Sequence, residues 1–507
     1  MKVSRRKAAI ATWSASTLNV LILSIQAFVL IPLYLQHIGN RLYGAWLGSG
    51  EILVWIAAFD FGLPNLLIQR IGVAHGRGDT RRMAEYFATG TVMILILAVL
   101  VGSVGVGLSL KISSWMGLDG AEATLLRSCF LLGVVTSCLN IANNAVVAFC
   151  RGVQKTGFIS GVLVLAGLVS FALSGYLVIT GWGLWAIAWG LMARTAVSTL
   201  GSIAFVIITF RGEMMRFLSV KKDLLRDLLS SSPAVFLAAI GAGVPIETTL
   251  VAVMVRPEMA VIYNITRKAA DMAASLAGMI SQASLGGFSH LVGADPKRAM
   301  RIHSEIMALF TSFAIAVAAA YIALNSNFIS IWVGPQQFGG HILTILMGLG
   351  TVMVGRASLI NNLYRFSGPM VKGSIMIIIE TILKIILMMI LLQLVGLPGL
   401  PTAALITSLI SSAVCYRWTV RNLSQGEERP IHPTKIVSFV HIGILFCAII
   451  ACFFIKVHSW IYVLSVGILV PVGAGLLFLT LNPLLSGIRG TLWSIIRRQR
   501  FQGAILG

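Results

Sequence analysis

The chain has 507 residues, 57% of them hydrophobic and only 11% charged, with a mean hydropathy of +0.92. Soluble domains carry about 25% charged residues, so this composition excludes a soluble globular protein. The formal charge of +21 has to be read against a membrane before it is read against nucleic acid.

Runs of about 20 apolar residues recur along the chain, each long enough to cross a hydrocarbon core about 30 Å thick. They are expected to be helices, because a spanning helix satisfies its own backbone hydrogen bonds. The reading is an all-α polytopic membrane protein with 14 spans, the first six near 9–35, 43–68, 87–110, 125–149, 158–180 and 184–210. The next six lie near 233–254, 259–285, 304–331, 340–363, 373–395 and 400–419, and the last two near 436–455 and 459–481. The first follows the basic MKVSRRK and runs to Pro32 and Tyr34 without a small-residue cleavage site, which predicts an uncleaved span and not a signal peptide. The second carries Asp60 inside an apolar run and is then broken by Gly62 and Pro64. Pro245, Arg256, Pro257, Arg267 and Lys268 interrupt the seventh and eighth.

The positive charge is placed asymmetrically. With residues at span ends counted in the adjoining loop and the N-terminus set in the cytoplasm, 28 of the 38 Lys and Arg fall in cytoplasmic segments, 5 in outer loops and 5 within spans. This positive-inside bias puts both termini in the cytoplasm. It makes Arg70, Arg77, Arg81 and Arg82 a cytoplasmic anchor and removes the case for DNA or RNA as a partner. A cysteine placed at Gln336 or Leu397 is expected outside, and one at Gly78 inside. The basic segment 211–232 is expected to lie on the membrane surface, with Leu218, Leu224, Leu225 and Leu228 in the interface and Lys221, Lys222 and Arg226 on anionic headgroups.

Cysteine and histidine carry little chemistry. Cys129, Cys138, Cys150, Cys415, Cys447 and Cys452 lie in apolar spans or at their ends and form no CxxC pair, so neither a metal site nor a disulfide scaffold is indicated. The glycines at Gly102, Gly105, Gly107, Gly241 and Gly243 read as helix-packing points and not as phosphate loops. There is no Ser-His-Asp arrangement and no soluble catalytic domain, so the chain reads as a non-enzyme.

An internal repeat sets the domain organisation. GRGDTRRM at 76–83 matches GADPKRAM at 293–300, with Asp79 over Asp295 and Arg82 over Arg298, an offset of 216. AFCRGVQKTG at 148–157 resembles NLYRFSGPMVKGS at 362–374, with Arg151 over Arg365 at an offset of 214. GWGLWAIA at 181–188 faces LPGLPTAA at 397–404, with Gly183 over Gly399 at 216. Three ordered matches at near-constant spacing predict two parallel six-helix lobes, 1–210 and 233–420, joined by the linker 211–232. Two additional helices at 436–481 and a basic cytoplasmic tail at 482–507 follow. A parallel two-lobe layout is a transporter arrangement, with the substrate site between lobes near mid-membrane.

QHIGNRLYGAW at 36–46 followed by DFGLPNLLIQR at 60–70 resembles the opening of bacterial polysaccharide and O-antigen flippases. These form the polysaccharide transporter branch of the multidrug/oligosaccharidyl-lipid/polysaccharide exporter superfamily. The family shows a proline-ended first helix, a Gly…Tyr-Gly turn and an Asp-x-Gly second helix. The resemblance implies a multi-pass protein of the bacterial inner membrane that flips undecaprenyl-pyrophosphate-linked oligosaccharide by alternating access. Its partners would be the lipid-linked glycan, membrane lipid and the polysaccharide polymerase and chain-length machinery. No cofactor is implied beyond coupling to H⁺ or Na⁺.

An anionic lipid pyrophosphate needs cations facing a wet cavity, and ionisable groups at a helix centre cost about 2.5–3.5 kcal/mol each, which makes them functional candidates. The span cations are Arg194, Arg267, Lys268, Arg356 and Lys384, and the span acids Glu51, Asp60, Glu247, Asp271 and Glu380. Polar stripes accompany them: Thr12, Ser16, Asn19 and Gln26 on the first helix, Asn140, Asn143 and Asn144 on the fourth, Asn361 and Asn362 on the tenth. Substrate binding is assigned to the five cations and the fourth-helix asparagines, and ion coupling to the five acids. Plainer readings stand beside these. Glu380 and Lys384, at i and i+4, form a self-neutralising pair, and Asp271 neutralises one of Arg267 and Lys268. Arg356 snorkels, Asp60 caps a broken helix, and the asparagines join helices. A drug/cation antiporter of the same superfamily would favour acids in its cavity, whereas the spans here hold 5 cations and 5 acids. A membrane polymerase or ligase would carry a long outer loop, and the longest here is 111–124.

Overall fold

The structure is a computed structural model that describes residues 22–58, 62–210, 215–230, 245–294, 296–367, 370–424, 434–457, 459–486 and 489–490. Every regular element among them is a helix. Ten helices are long and apolar enough to cross a membrane, and they coincide with the predicted spans three to six and nine to fourteen. The protein is thus an all-α, multi-pass membrane protein. The other four predicted spans are the first two of each expected lobe, and there the chain departs from simple helices.

One compact unit runs from Met1 to Val261. It contains α1 (Ile22–His37), α2 (Asn40–Ala58), α3 (Leu63–Gly76), α4 (Thr80–Trp115), α5 (Gly120–Gly152), α6 (Thr156–Ile179) and α7 (Trp185–Phe210). A short helix α8 (222–230) and α9 (Glu247–Met254) complete it. The single span expected at 43–68 is two helices. Gly62 sits at φ 66°, a left-handed conformation that a right-handed helix cannot continue through, and Pro64 lies in the first turn of α3, where its missing N–H costs nothing. Asp60 lies outside the described residues, as do Thr12, Ser16, Asn19, 233–244 and the tail beyond 490. Asp79, a residue of the repeat, caps α4 by accepting the Arg82 amide at 2.9 Å, which explains why an Asp is needed at that point. Its repeat partner Asp295 is not described, but α11 starts immediately after it at Pro296.

Helix α5 packs against α2, α3, α4 and α7, and α6 packs on α7. Phe130 and Phe149 on α5 and Leu67 and Ile71 on α3 are fully buried. On α2, Gly44 and Gly48 admit the chain around α9. A Cβ at Gly44 would fall on the Pro257 carbonyl, and one at Gly48 would lie 2.6 Å from the Ala252 Cβ. The segment 245–261, expected to open the second lobe, is therefore packed into the first unit by contacts that only glycine permits.

The linker departs from expectation in a second way. Leu224 and Leu228 are buried in protein and not in lipid, because α8 carries two acids that dock it on α3 and α4. Asp227 pairs with Arg70 at 2.8 Å and accepts the Tyr86 hydroxyl at 3.2 Å, while Asp223 lies 3.6 Å from Arg82. The Lys221 amide donates to Thr89 at 3.2 Å. Lys222, Arg226 and Leu218 stay exposed.

The second compact unit runs from Ile262 to Gly507. Helix α10 (Pro257–Ala294) enters it from the first, followed by α11 (Pro296–Trp332), α12 (His341–Ser367), α13 (Met370–Val395), α14 (Gly399–Ser424), α15 (Lys435–Phe454) and α16 (Trp460–Leu481). Helices α11 to α14 pack in the same pairs as α4 to α7: first on second, second on third and fourth, third on fourth. Arg151 and Arg365, aligned by the repeat, both occupy the last turn of their helices, where cations favour the C-terminal dipole. The additional α15 and α16 pack on α11. Asn327 of α11 holds their connection by donating to the Ile455 carbonyl and accepting the Val457 amide, both at 3.0 Å.

Candidate functional site

The turn of α10 that follows Tyr263 carries three charged residues, Arg267, Lys268 and Asp271, within five positions. Arg267 lies ten residues into α10, about 15 Å along its axis at 1.5 Å per residue. Its Nε donates to Asp271 at 3.1 Å, and its guanidinium lies over the Tyr263 ring at 5.5 Å from the centroid. Arg267 is thus braced on both sides. Lys268, half-buried on the neighbouring face, makes no hydrogen bond or ion pair among the described residues.

The preceding residue fixes this turn to the second unit. The Thr266 carbonyl accepts the Tyr321 hydroxyl at 2.9 Å and Asn325 Nδ2 at 3.2 Å, both from α11. Asn325 also donates to Thr344 of α12 at 3.2 Å. The Thr266 hydroxyl accepts the Gly339 amide at 2.9 Å, and a Cβ on Gly339 would lie 2.9 Å from that same oxygen. These hydrogen bonds from two helices and the Gly339 amide hold the Arg267–Lys268 backbone in place before any ligand arrives.

The acids proposed for coupling are occupied differently. Glu51 of α2 is buried and accepts the Thr249 amide at 2.8 Å and its hydroxyl at 3.3 Å. Thr249 is in the first turn of α9, whose N-cap Ile246 offers no side-chain cap, so Glu51 caps that helix from its neighbour. Glu247 accepts the Ile246 amide at 3.1 Å. Glu380 of α13 accepts Asn361 Nδ2 of α12 at 3.2 Å, with Lys384 half-buried one turn further on.

The asparagine stripe is split between environments. Asn143 is buried and donates to Ser198 of α7 at 3.0 Å, Asn144 is half-buried and Asn140 exposed. Gln26 reaches Ser170 at 3.4 Å. Arg194 on α7 is half-buried and forms no hydrogen bond or ion pair among the described residues. Arg356 on α12 lines a cavity of about 310 Å³ within the second unit, together with His303 and Tyr416. No described hydrogen bond or common cavity joins it to Arg267. Among the described residues no cluster of His, Cys, Asp and Glu could hold a metal ion.

Solved structures share the fold. The lipid II flippase MurJ, in an inward closed conformation, superposes with a TM-score of 0.63 at 14% identity, over 93% of this chain and 98% of that one. The inward-facing multidrug resistance MATE family transporter of the MOP superfamily gives 0.54 at 17% identity, over 80% and 98%. A MATE in complex with MaD3S gives 0.56 at 16%, over 82% and 96%. The chain has the fold of these exporters. No family model matches the sequence, and no curated protein matches it.

Sequence reasoning reached Arg267, Lys268 and Asp271 but not what holds them. Tyr321 and Asn325, which hold that turn, sit in YIALNSN, a polar interruption at the end of a long apolar run. That interruption is the signal the sequence offers, and it is a weak one because uncharged groups carry no topological information.

Proposed function

We propose that the protein is a flippase for polyprenyl-pyrophosphate-linked oligosaccharide in the bacterial cytoplasmic membrane, working by alternating access in the assembly of O-antigen, capsule or exopolysaccharide. The observation that carries this reading is the cationic turn of α10, with Arg267 braced and Lys268 without a hydrogen-bonded partner among the described residues. A charged side chain there costs about 2.5–3.5 kcal/mol, a cost that an anionic ligand offsets. The span acids Glu51, Glu247, Asp271 and Glu380 all accept hydrogen bonds. This favours an anionic substrate over the cationic drug of an antiporter. The lipid II flippase's greater TM-score and coverage support the same choice.

Lys268 and Arg267 would take the two phosphates, while the polyprenyl tail stays in lipid. Asp271 supplies the means of release. Ionised, it holds Arg267 and competes with the pyrophosphate; protonated or bound to Na⁺, it gives Arg267 up. Only such a differential affinity can bias the cycle between states.

Replacing Arg267 and Lys268 together by Ala is expected to abolish polysaccharide export and accumulate lipid-linked repeat units at wild-type protein level, while Arg267→Lys keeps part of the activity. Full export by the double variant overturns the assignment.

A further inference from the structure

The cavity beside Arg356 has a polarity gradient that the transport reading does not use. It is walled by α11, α12, α14 and α15, all in the second unit. On each of three helices the arginine, histidine and serine side chains lie towards one end and apolar ones towards the other, with Thr311 of α11 the exception. Helix α11 contributes His303 and Ser304, then Met307 and Ile315; α15 contributes Ser438 and His441, then Ile442 and Leu445. Helix α12 runs the opposite way, and there Leu349 and Val352 precede Arg356. In the orientation given by the loop charges, the polar end is cytoplasmic on all three. The apolar end extends inwards by about 16 Å, the rise from Ser304 to Ile315.

The charge at the polar end is uncompensated. No lining residue is acidic, and Arg356 forms no ion pair among the described residues. Two buried polar atoms on the same wall, Nε2 of His303 and Nδ2 of Asn482, have no hydrogen-bond partner among the described residues. His441 is held by Ser312 at 3.2 Å and stacks on Phe478, so it shapes the wall. Ile442 is 67% exposed on the outer face of α15 and also lines the cavity, so the cavity is reachable sideways from lipid. Basic pockets between membrane helices at the cytoplasmic side bind anionic headgroups.

We propose that this cavity is a site for an anionic phospholipid of the cytoplasmic leaflet, with its phosphate on Arg356 and its acyl chain against Ile315, Leu349 and Leu445. The site forms where α15, outside the repeat, closes over three helices of the repeat, and it is separate from the α10 turn.

The test is native mass spectrometry of the delipidated full-length protein after adding back single lipids. The wild type is expected to retain one phosphatidylglycerol per chain, about fivefold better than phosphatidylcholine, the factor that one near-surface cation supplies. Arg356→Gln should lose that preference, Arg356→Lys should keep it, and Lys372→Gln, an exposed cation elsewhere in the unit, should leave it unchanged. Ile442→Trp, placed on the lipid-facing rim so that folding is spared, should reduce retention of any lipid. Wild-type retention by both Arg356→Gln and Ile442→Trp overturns the site, and equal retention of phosphatidylcholine overturns recognition by charge. Displacement of phosphatidylglycerol by equimolar undecaprenyl phosphate reassigns the cavity to the carrier lipid and overturns the phospholipid assignment. None of these results bears on export by the Arg267 and Lys268 variants, so the two proposals fail separately.

Discussion

Helices α4 and α11 hold the same place in the repeat and pack in the same pairs, yet they live in different surroundings. Of the most apolar 18 residues of α4, 33% are buried inside the protein; for α11 the figure is 78%. Helix α4 turns Ile96, Val99, Leu100, Val104 and Leu110 to the outside. The buried positions of α11 include a run of alanines, Ala314, Ala316, Ala318, Ala319 and Ala320, beside Phe310, Ile315, Ile322 and Leu324, with Ser312, Asn325 and Asn327 among them. Between helices in a membrane there is no hydrophobic drive, because lipid is as apolar as leucine. Close approach by small residues and hydrogen bonds between helices replace it. A repeat that keeps helix order can therefore exchange a lipid-facing helix for a central one by changing side-chain size and adding α15 and α16.

Three measurements sharpen or break this contrast, in falling order of expected effect. Asn327→Leu removes both bonds to the α15–α16 connection and leaves the Ile455 carbonyl and Val457 amide without their partner. At about 1–3 kcal/mol for each stranded group, a loss of about 3 kcal/mol is expected, read as lowered thermal stability in detergent. An unchanged melting point would show that α15 and α16 are held by lipid and not by α11. Next, Ala318→Leu on α11 should cost about 2 kcal/mol through overpacking, while Val99→Ala on α4, 69% exposed, should stay within about 0.5 kcal/mol. Equal effects of these two substitutions would erase the difference between the helices.

The smallest effect concerns the first unit's own dock. In a double-mutant cycle, Arg70→Gln with Asp227→Asn should give a coupling of about 1 kcal/mol for this partly exposed pair, falling with added salt. A zero coupling would return α8 to the membrane surface, where the sequence alone had put it.

That last point marks where legibility stops. Leu224 and Leu228 have the same spacing whether they meet lipid or protein, and only the partners of Asp223 and Asp227, 141 to 157 residues away in the case of Asp227, distinguish the two. Glu51 reads as a coupling carboxylate from its place in a span, and it becomes a cap once α9 lies against Gly48. Arg356 reads as a substrate cation or a snorkelling one, and its cavity exists only because α15 closes over α11 and α12.

What the sequence by itself determined was the class, the helices that cross simply, the basic side and the order within the repeat. Each of these follows from local quantities: apolar length against bilayer thickness, charge counted loop by loop, and a cap residue at a helix start. The tertiary structure alone decided which faces of those helices meet protein. It also set α9 with the first unit, made α11 the buried helix of the second, and braced Arg267 while leaving Lys268 without a bonded partner among the described residues. In a membrane the lipid and the protein interior are equally apolar, so hydropathy cannot tell them apart. Small residues and long-range hydrogen bonds can, and they act only when the helices are brought together.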